Sequence, residues 1–254
     1  MLRTLLRCEH ADITGIMLSS RVLRRRYGWL RGAVEQIRLS GLAYALYLWA
    51  ATGLADALGR FGRAGAVASL AARSGIPTLL TRDVNGPNEL GFVRSVRPDL
   101  LISAFFNQRI GPELTAIPRS GCINIHPSPL PEFRGVDPVF FSRLRDADRW
   151  GVTVHRIDDD FDTGAMLFQR LVDPPGTGDS VLRTTAHLFR RGSELIAEHL
   201  EELATGPTGH CQRAGGSYDS WPTAAAVRAL HAKGIALARW TDLIAIARGC
   251  LGLR

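Results

Sequence analysis

In the stretch Cys122-Ile123-Asn124-Ile125-His126-Pro127-Ser128-Pro129-Leu130-Pro131-Glu132-Phe133-Arg134-Gly135, a short apolar run meets alternating prolines. Proline continues neither a ladder nor a helix, so the run reads as a buried strand entering a stiff loop. Strand residues two apart share a face, which sends Asn124 and His126 the same way. They stand at the strand's carboxyl end, where open α/β sheets hold their ligands. A second apolar run, residues 152–157, opens into Asp158-Asp159-Asp160-Phe161-Asp162-Thr163-Gly164. That loop is expected to bring its four carboxylates to another strand's end.

Outward from this pair the same rhythm repeats. Residues 13–18, 78–80, 100–103 and 166–172 read as strands. Residues 64–74, 88–96, 138–145, 181–204 and 224–253 read as helices, with Gly75 and Arg97-Pro98 as stop signals. Alternation of this kind predicts an open α/β sheet with crossover helices. Residues 205–221 are turn-rich.

Composition narrows the field. The chain has 254 residues, 46% hydrophobic and 22% charged, which excludes intrinsic disorder and allows one domain or two small ones. Cys8, Cys122, Cys211 and Cys250 are far apart and form neither a disulfide framework nor a zinc cluster. The net charge is +7, yet 30 of the 31 basic residues are dispersed arginines and only Lys233 is a lysine, so charge alone does not argue a nucleic-acid partner. Residues 1–10 lack the apolar core of a secretory signal, and a cytoplasmic location is expected. No phosphate-binding glycine loop and no G-x-S-x-G nucleophile elbow is present.

Residues 39–55 are uncharged between Arg38 and Asp56. At 17 residues with two glycines this is a poor bilayer span, which needs about 20 apolar residues. Two readings remain: a helix packed on the body, or one lying at a membrane surface. The second draws on Arg21, Arg24, Arg25, Arg26, Arg31 and Arg38, with Trp29, Tyr44, Tyr47 and Trp49 interleaved.

An amide, an imidazole and a carboxylate suit transfer through a tetrahedral intermediate. Asn124 and a charged His126 can donate to a developing oxyanion, and a carboxylate of the aspartate loop can orient the imidazole or relay a proton. Taken singly, each signal has an ordinary alternative. An Asn-x-His at a strand end is often a turn former beside a hydrogen-bonded histidine, and an aspartate-rich loop is often a solvated turn or a weak Ca²⁺ site.

Three blocks in order carry a resemblance: residues 124–135, residues 151–158 (Gly-Val-Thr-Val-His-Arg-Ile-Asp) and residues 161–167 (Phe-Asp-Thr-Gly-Ala-Met-Leu). Together they resemble the folate-dependent formyltransferases, which act on glycinamide ribonucleotide, methionyl-tRNA or amino sugars. The likeness is strong over residues 97–172 and extends loosely to 203. It implies an open, mostly parallel Rossmann-like sheet, with Asn124, His126 and Asp162 on the family's catalytic positions. It also implies that Phe106, Asn107, Gln108 and Ile110, with Asp158, Asp159 and Asp160, line a pocket for 10-formyltetrahydrofolate, held largely by backbone groups. No metal is implied. His155 matches a frequent family residue but precedes the loop, and reads as structural.

The chain departs from that pattern in three places. Residues 1–6 already look like the family's first helix, so the usual first strand is expected to be missing. The Gly-Ser-Asn phosphate turn of the glycinamide ribonucleotide enzymes belongs to the same missing part. Asp160 replaces a loop glycine, and aspartate tolerates left-handed backbone better than most residues.

The acceptor is inferred from what surrounds the blocks. Residues 1–205 are expected to form the catalytic domain with a helical insertion at about 21–60, and residues 206–254 a helical C-terminal extension. After Val172 only 82 residues follow (254 − 172), too few and too helix-like for the β-barrel of methionyl-tRNA formyltransferases. Residues 216–223 resemble a Tyr-x-x-x-Pro-Thr element of sugar-type members. The leading expectation is therefore formyl transfer to a small primary amine, an amino sugar on a nucleotide or lipid carrier. The alternatives are methionyl-tRNA or glycinamide ribonucleotide formylation, deformylation by water, and an inactive folate-binding module. Specific nucleic-acid binding is not expected, peripheral membrane contact through residues 21–58 stays open beside the reading of that segment as a helix packed on the body, and a homodimer is one option for the assembly.

Overall fold

The computed structural model describes residues 1–20, 28–54 and 67–248. The expected helix at the start is present as α1 (Leu2–Leu5), followed by strand β1 (Ile16–Ser19). The segment expected to be a helical insertion contains α2 (Trp29–Trp49), continued by one π-helical turn, Ala50–Leu54. Next come α3 (Val67–Arg73), β2 (Thr78–Thr81), α4 (Pro87–Val96), β3 (Leu101–Ala104) and α5 (Pro112–Thr115). The motif-bearing part contains β4 (Cys122–His126), β5 (Arg134–Gly135), α6 (Pro138–Leu144), β6 (Trp150–Arg156) and β7 (Met166–Val172). The chain then forms α7 (Val181–Glu198), α8 (Leu200–Ala204), β8 (Tyr218–Asp219), α9 (Ala224–Ala232) and α10 (Trp240–Arg248). Cys250, the end of the helix expected over 224–253, the start of the one expected over 64–74 and the flanks of the expected insertion lie outside the described residues. Cys8, Cys122 and Cys211 are free thiols.

The architecture is the expected open α/β one. β1 and β2 pair in parallel, as do β3 and β4. β6 joins β4 antiparallel and β7 joins β6 antiparallel, giving the order β3–β4–β6–β7. Met17 of β1 and Leu101 of β3 pack against one core cluster, and the Ser19 hydroxyl reaches Asn107 just beyond β3 (2.6 Å). Yet β1 and β3 are not hydrogen-bonded neighbours, and among the described residues no strand stands between them or precedes β1.

The four-stranded sheet is held by α7. Ile123, Ile125, Val152 and Val154 point into a core shared with Leu195 and Ile196. Gly192 lets the helix settle there, because a Cβ at that position would come within 2.4 Å of Ile125 Cγ2. The amphipathic run at 181–204 was expected to be one helix. It breaks at His199, which leaves helical geometry (φ −113°) and stacks its ring on Phe168 at 4.0 Å. The run expected at 224–253 also divides, because Gly234 takes a left-handed φ of 74° just after α9.

α2 packs on α6, α7 and α9 through Tyr44 and Tyr47. Gly41 (φ 83°, ψ 164°) kinks it midway. Among the described residues no helix is long and apolar enough to cross a membrane.

Candidate active site

The site grows out of the β4–β6 ladder. Asn124 lies opposite His155 and His126 opposite Thr153. Residues opposite each other in an antiparallel pair share a face. All four therefore project away from α7, while the intervening Ile and Val residues project toward it.

The antiparallel course of β6 corrects one expectation. Its carboxyl end lies beside the start of β4, with Arg156 opposite Ile123, and not beside His126. Asp162 reaches His126 because the loop after β6 folds back. Gly164 permits that fold: a Cβ there would lie 1.9 Å from the Arg156 carbonyl oxygen. Gln212 braces the turn, its Nε2 donating to the carbonyls of Asp162 (2.8 Å) and Gly164 (2.9 Å). Asp162 itself takes φ 58°, a left-handed backbone uncommon outside glycine and asparagine. The loop residue expected in that conformation, Asp160, is not; the reversal falls two residues later, where the carboxylate is used.

His126 is buried, with Nδ1 3.3 Å from Asp162 Oδ1. Its Nε2 donates to the Phe133 carbonyl at 2.9 Å. Both ring nitrogens thus face acceptors, an arrangement that only the imidazolium satisfies. Burial alone lowers the affinity of His126 for its proton, but the charge and hydrogen bond of Asp162 and the Phe133 carbonyl raise its pKa above the ordinary value. Burial pushes Asp162 the other way, and is outweighed by the charge and hydrogen bond of His126, which hold its carboxyl far below the usual range. The second carboxylate oxygen accepts from the Gly135 N–H at 2.9 Å. Gly135 has φ 115°, and a Cβ there would strike the Asp219 carbonyl, since β5 and β8 pair at this point.

His155 corrects a further expectation. It is not merely a strand residue: its Nε2 accepts from Asn124 Nδ2 at 3.2 Å and lies 3.6 Å from Asp162 Oδ1. Its Nδ1 donates to the Arg156 carbonyl at 2.7 Å, which fixes the tautomer and leaves Nε2 free to accept. His155 therefore aims the Asn124 amide, whose second N–H is left for another acceptor.

The segment after β3 uses most of its side chains internally. Phe106 and Ile110 pack in the core around Val84, Leu90 and Leu114. Gln108 is buried, accepting from Val84 N (2.9 Å) and donating to Ser19 Oγ (2.8 Å), and Asn107 Oδ1 accepts from the same hydroxyl. The segment thus offers a ligand mainly backbone groups, plus Phe105, which is half exposed with φ 50° and meets Phe189 edge-on at 5.7 Å. Arg109 ties this segment to the other loop through the Asp159 carbonyl. Asp158 accepts from the Thr163 hydroxyl (2.9 Å), while Asp159 and Asp160 are exposed. Among the described residues no group of His, Cys, Asp or Glu is placed to hold a metal ion.

The family profile described as formyl transferase matches residues 57–189, just over half of the sequence. The chain belongs to the formyl transferase family. Its relatives include the methionyl-tRNA formyltransferase of Thermotoga maritima, 34% identical over 142 residues, or 55% of this chain and 44% of that protein. The methionyl-tRNA formyltransferase of Citrifermentans bemidjiense is 35% identical over 137 residues, 54% and 43% of the two chains. The matched region is thus less than half the length of these curated relatives. Among solved structures, a sugar N-formyltransferase from Shewanella sp FDAARGOS_354 superposes with a TM-score of 0.51 at 19% identity, over 81% of this chain and 75% of that one, a likeness of fold.

Proposed function

We propose that this formyl transferase moves the formyl group of 10-formyltetrahydrofolate to the primary amine of a small acceptor, an amino sugar on a nucleotide or lipid carrier. The observation that carries the reading is the His126–Asp162 pair, with both imidazole nitrogens on acceptors and the Asn124 amide beside it. In the reaction the amine attacks the formyl carbon, a C–N bond forms, and the carbonyl oxygen becomes an oxyanion. Collapse breaks the bond to N10 of the folate, and the proton shed by the amine balances the one gained by the departing nitrogen. The Asn124 amide is the donor on hand for the oxyanion, and the His126 imidazolium stabilises it through its charge, both of its N–H groups being held by Asp162 and the Phe133 carbonyl. Asp162 holds its proton too weakly to be a strong base, so its part is to keep His126 charged and oriented. Donor binding fits the two loops joined by Arg109, where backbone groups and Phe105 are presented.

Donor consumption with and without added amine tests the proposal. Turnover that requires a UDP-linked or lipid-linked amino sugar supports it. Consumption by water alone indicates a deformylase, and binding without turnover a folate-binding module. The curated relatives favour methionyl-tRNA as a second reading. Initiator-selective tRNA binding at near-physiological salt would promote it over the sugar. The basic charge by itself predicts only weak association that falls steeply with salt.

A further inference from the structure

Helix α2 buries two tyrosines and two polar side chains and leaves most of its aliphatic side chains outside. A surface helix ordinarily buries its apolar stripe and shows water its polar side. Here the inward side chains are Gln36, Ser40, Tyr44 and Tyr47, each at most 4% exposed. Gln36 donates to the Ser40 hydroxyl (2.8 Å), and the Tyr44 hydroxyl donates to Asp137 (2.8 Å). The outward side chains are Leu30, Val34, Ile37, Leu42, Leu46 and Trp49, between 40% and 63% exposed. Single exposed leucines need no explanation, but a row along one helix marks a surface that meets something apolar.

We propose that this face docks the enzyme on an anionic membrane surface, lying along it. Charge selects that occupant. Between residues 21 and 55 the sequence holds six arginines against one acid, Glu35, a net +5 (6 − 1). A second copy would carry the same net charge in this stretch of sequence, whereas anionic headgroups neutralise it while the acyl boundary receives the apolar row. Trp49, at the helix end, suits the headgroup level. The length and composition of α2 suit lying on a bilayer and not crossing it. The Tyr44–Asp137 bond fastens α2 to the segment whose Gly135 N–H holds Asp162, so the docked helix and the site are parts of one rigid construction. The proposal holds whichever amine is the acceptor.

Flotation of the full chain with phosphatidylcholine vesicles, with and without one third phosphatidylglycerol, tests it. Flotation is expected only with the anionic lipid, and reduced by high salt. Replacing Arg24, Arg25 and Arg26 with Gln is expected to lower partitioning on the order of 100-fold. The double variant Leu42→Glu, Leu46→Glu should abolish it while melting like the parent, since both side chains are exposed. Failure to float on anionic vesicles overturns the proposal, as does flotation indifferent to the Leu variants. A concentration-dependent dimer lost in the Leu variants, with no flotation, would assign the face to a second copy instead. Donor consumption in solution, measured on the same samples, keeps this outcome separate from the catalytic reading.

Discussion

The two faces of the β4–β6 ladder do opposite jobs with the same backbone. One presents Ile123, Ile125, Val152 and Val154 to α7 and holds the sheet in place. The other presents Asn124, His126, Thr153 and His155, polar groups whose partners are one another, nearby carbonyls and Asp162. Because side chains alternate strictly along a strand, adjacent residues belong to different functions. Stability and chemistry should therefore separate between neighbours in sequence.

The largest expected effect falls on the apolar face. Ile125→Ala leaves a cavity under α7, where Ile125 is about 1% exposed, and should cost about 2–5 kcal/mol in denaturant unfolding. The folded fraction should keep its turnover. Next comes Asn124→Ala, which removes an oxyanion donor and is expected to lower kcat by about 10²–10³. Its stability cost should be near that of one hydrogen bond, about 1 kcal/mol. If Ile125→Ala depressed kcat as strongly as Asn124→Ala, or Asn124→Ala unfolded the protein, the division between faces would fail.

The same comparison shows what the sequence disclosed. Period-two alternation is enough to put Asn124 and His126 on one face, whereas the choice of Asp162 among four loop aspartates rests on the family resemblance and not on spacing. The role of His155 depends on which residue stands opposite it, and that register follows from the antiparallel course of β6, which the local pattern does not encode. Gln212 is hidden for a related reason: it lies in the turn-rich tail and reaches the site through the bridge of His210, two residues before it, to Met166 of β7. The ends of α7 and α9 were missed because a histidine stacking on Phe168 and a glycine after Lys233 interrupt otherwise helical periodicity. α2 was visible as a helix, but apolar content did not say which side faced outward.

The smallest expected effect tests the junction between the site and α2. Burial pushes the Asp137 carboxyl up to about 6, against the lowering influence of the Tyr44 hydroxyl and the Phe140 N–H. An unfolded aspartate titrates near 4, so between about pH 4 and 6 the folded protein retains a proton that the unfolded chain gives up. The resulting contribution to stability is full below about pH 4 and is lost as the pH rises through 6. Tyr44→Phe removes a donor to the charged form and leaves a buried carboxylate short of one partner. It should cost about 1–2 kcal/mol at pH 7, where Asp137 is ionised, and less at pH 4.5, where it is mostly protonated. Urea unfolding at the two pH values measures the difference. Equal losses at both would mean that Asp137 keeps an ordinary titration and that the Tyr44 bond holds α2 by geometry alone.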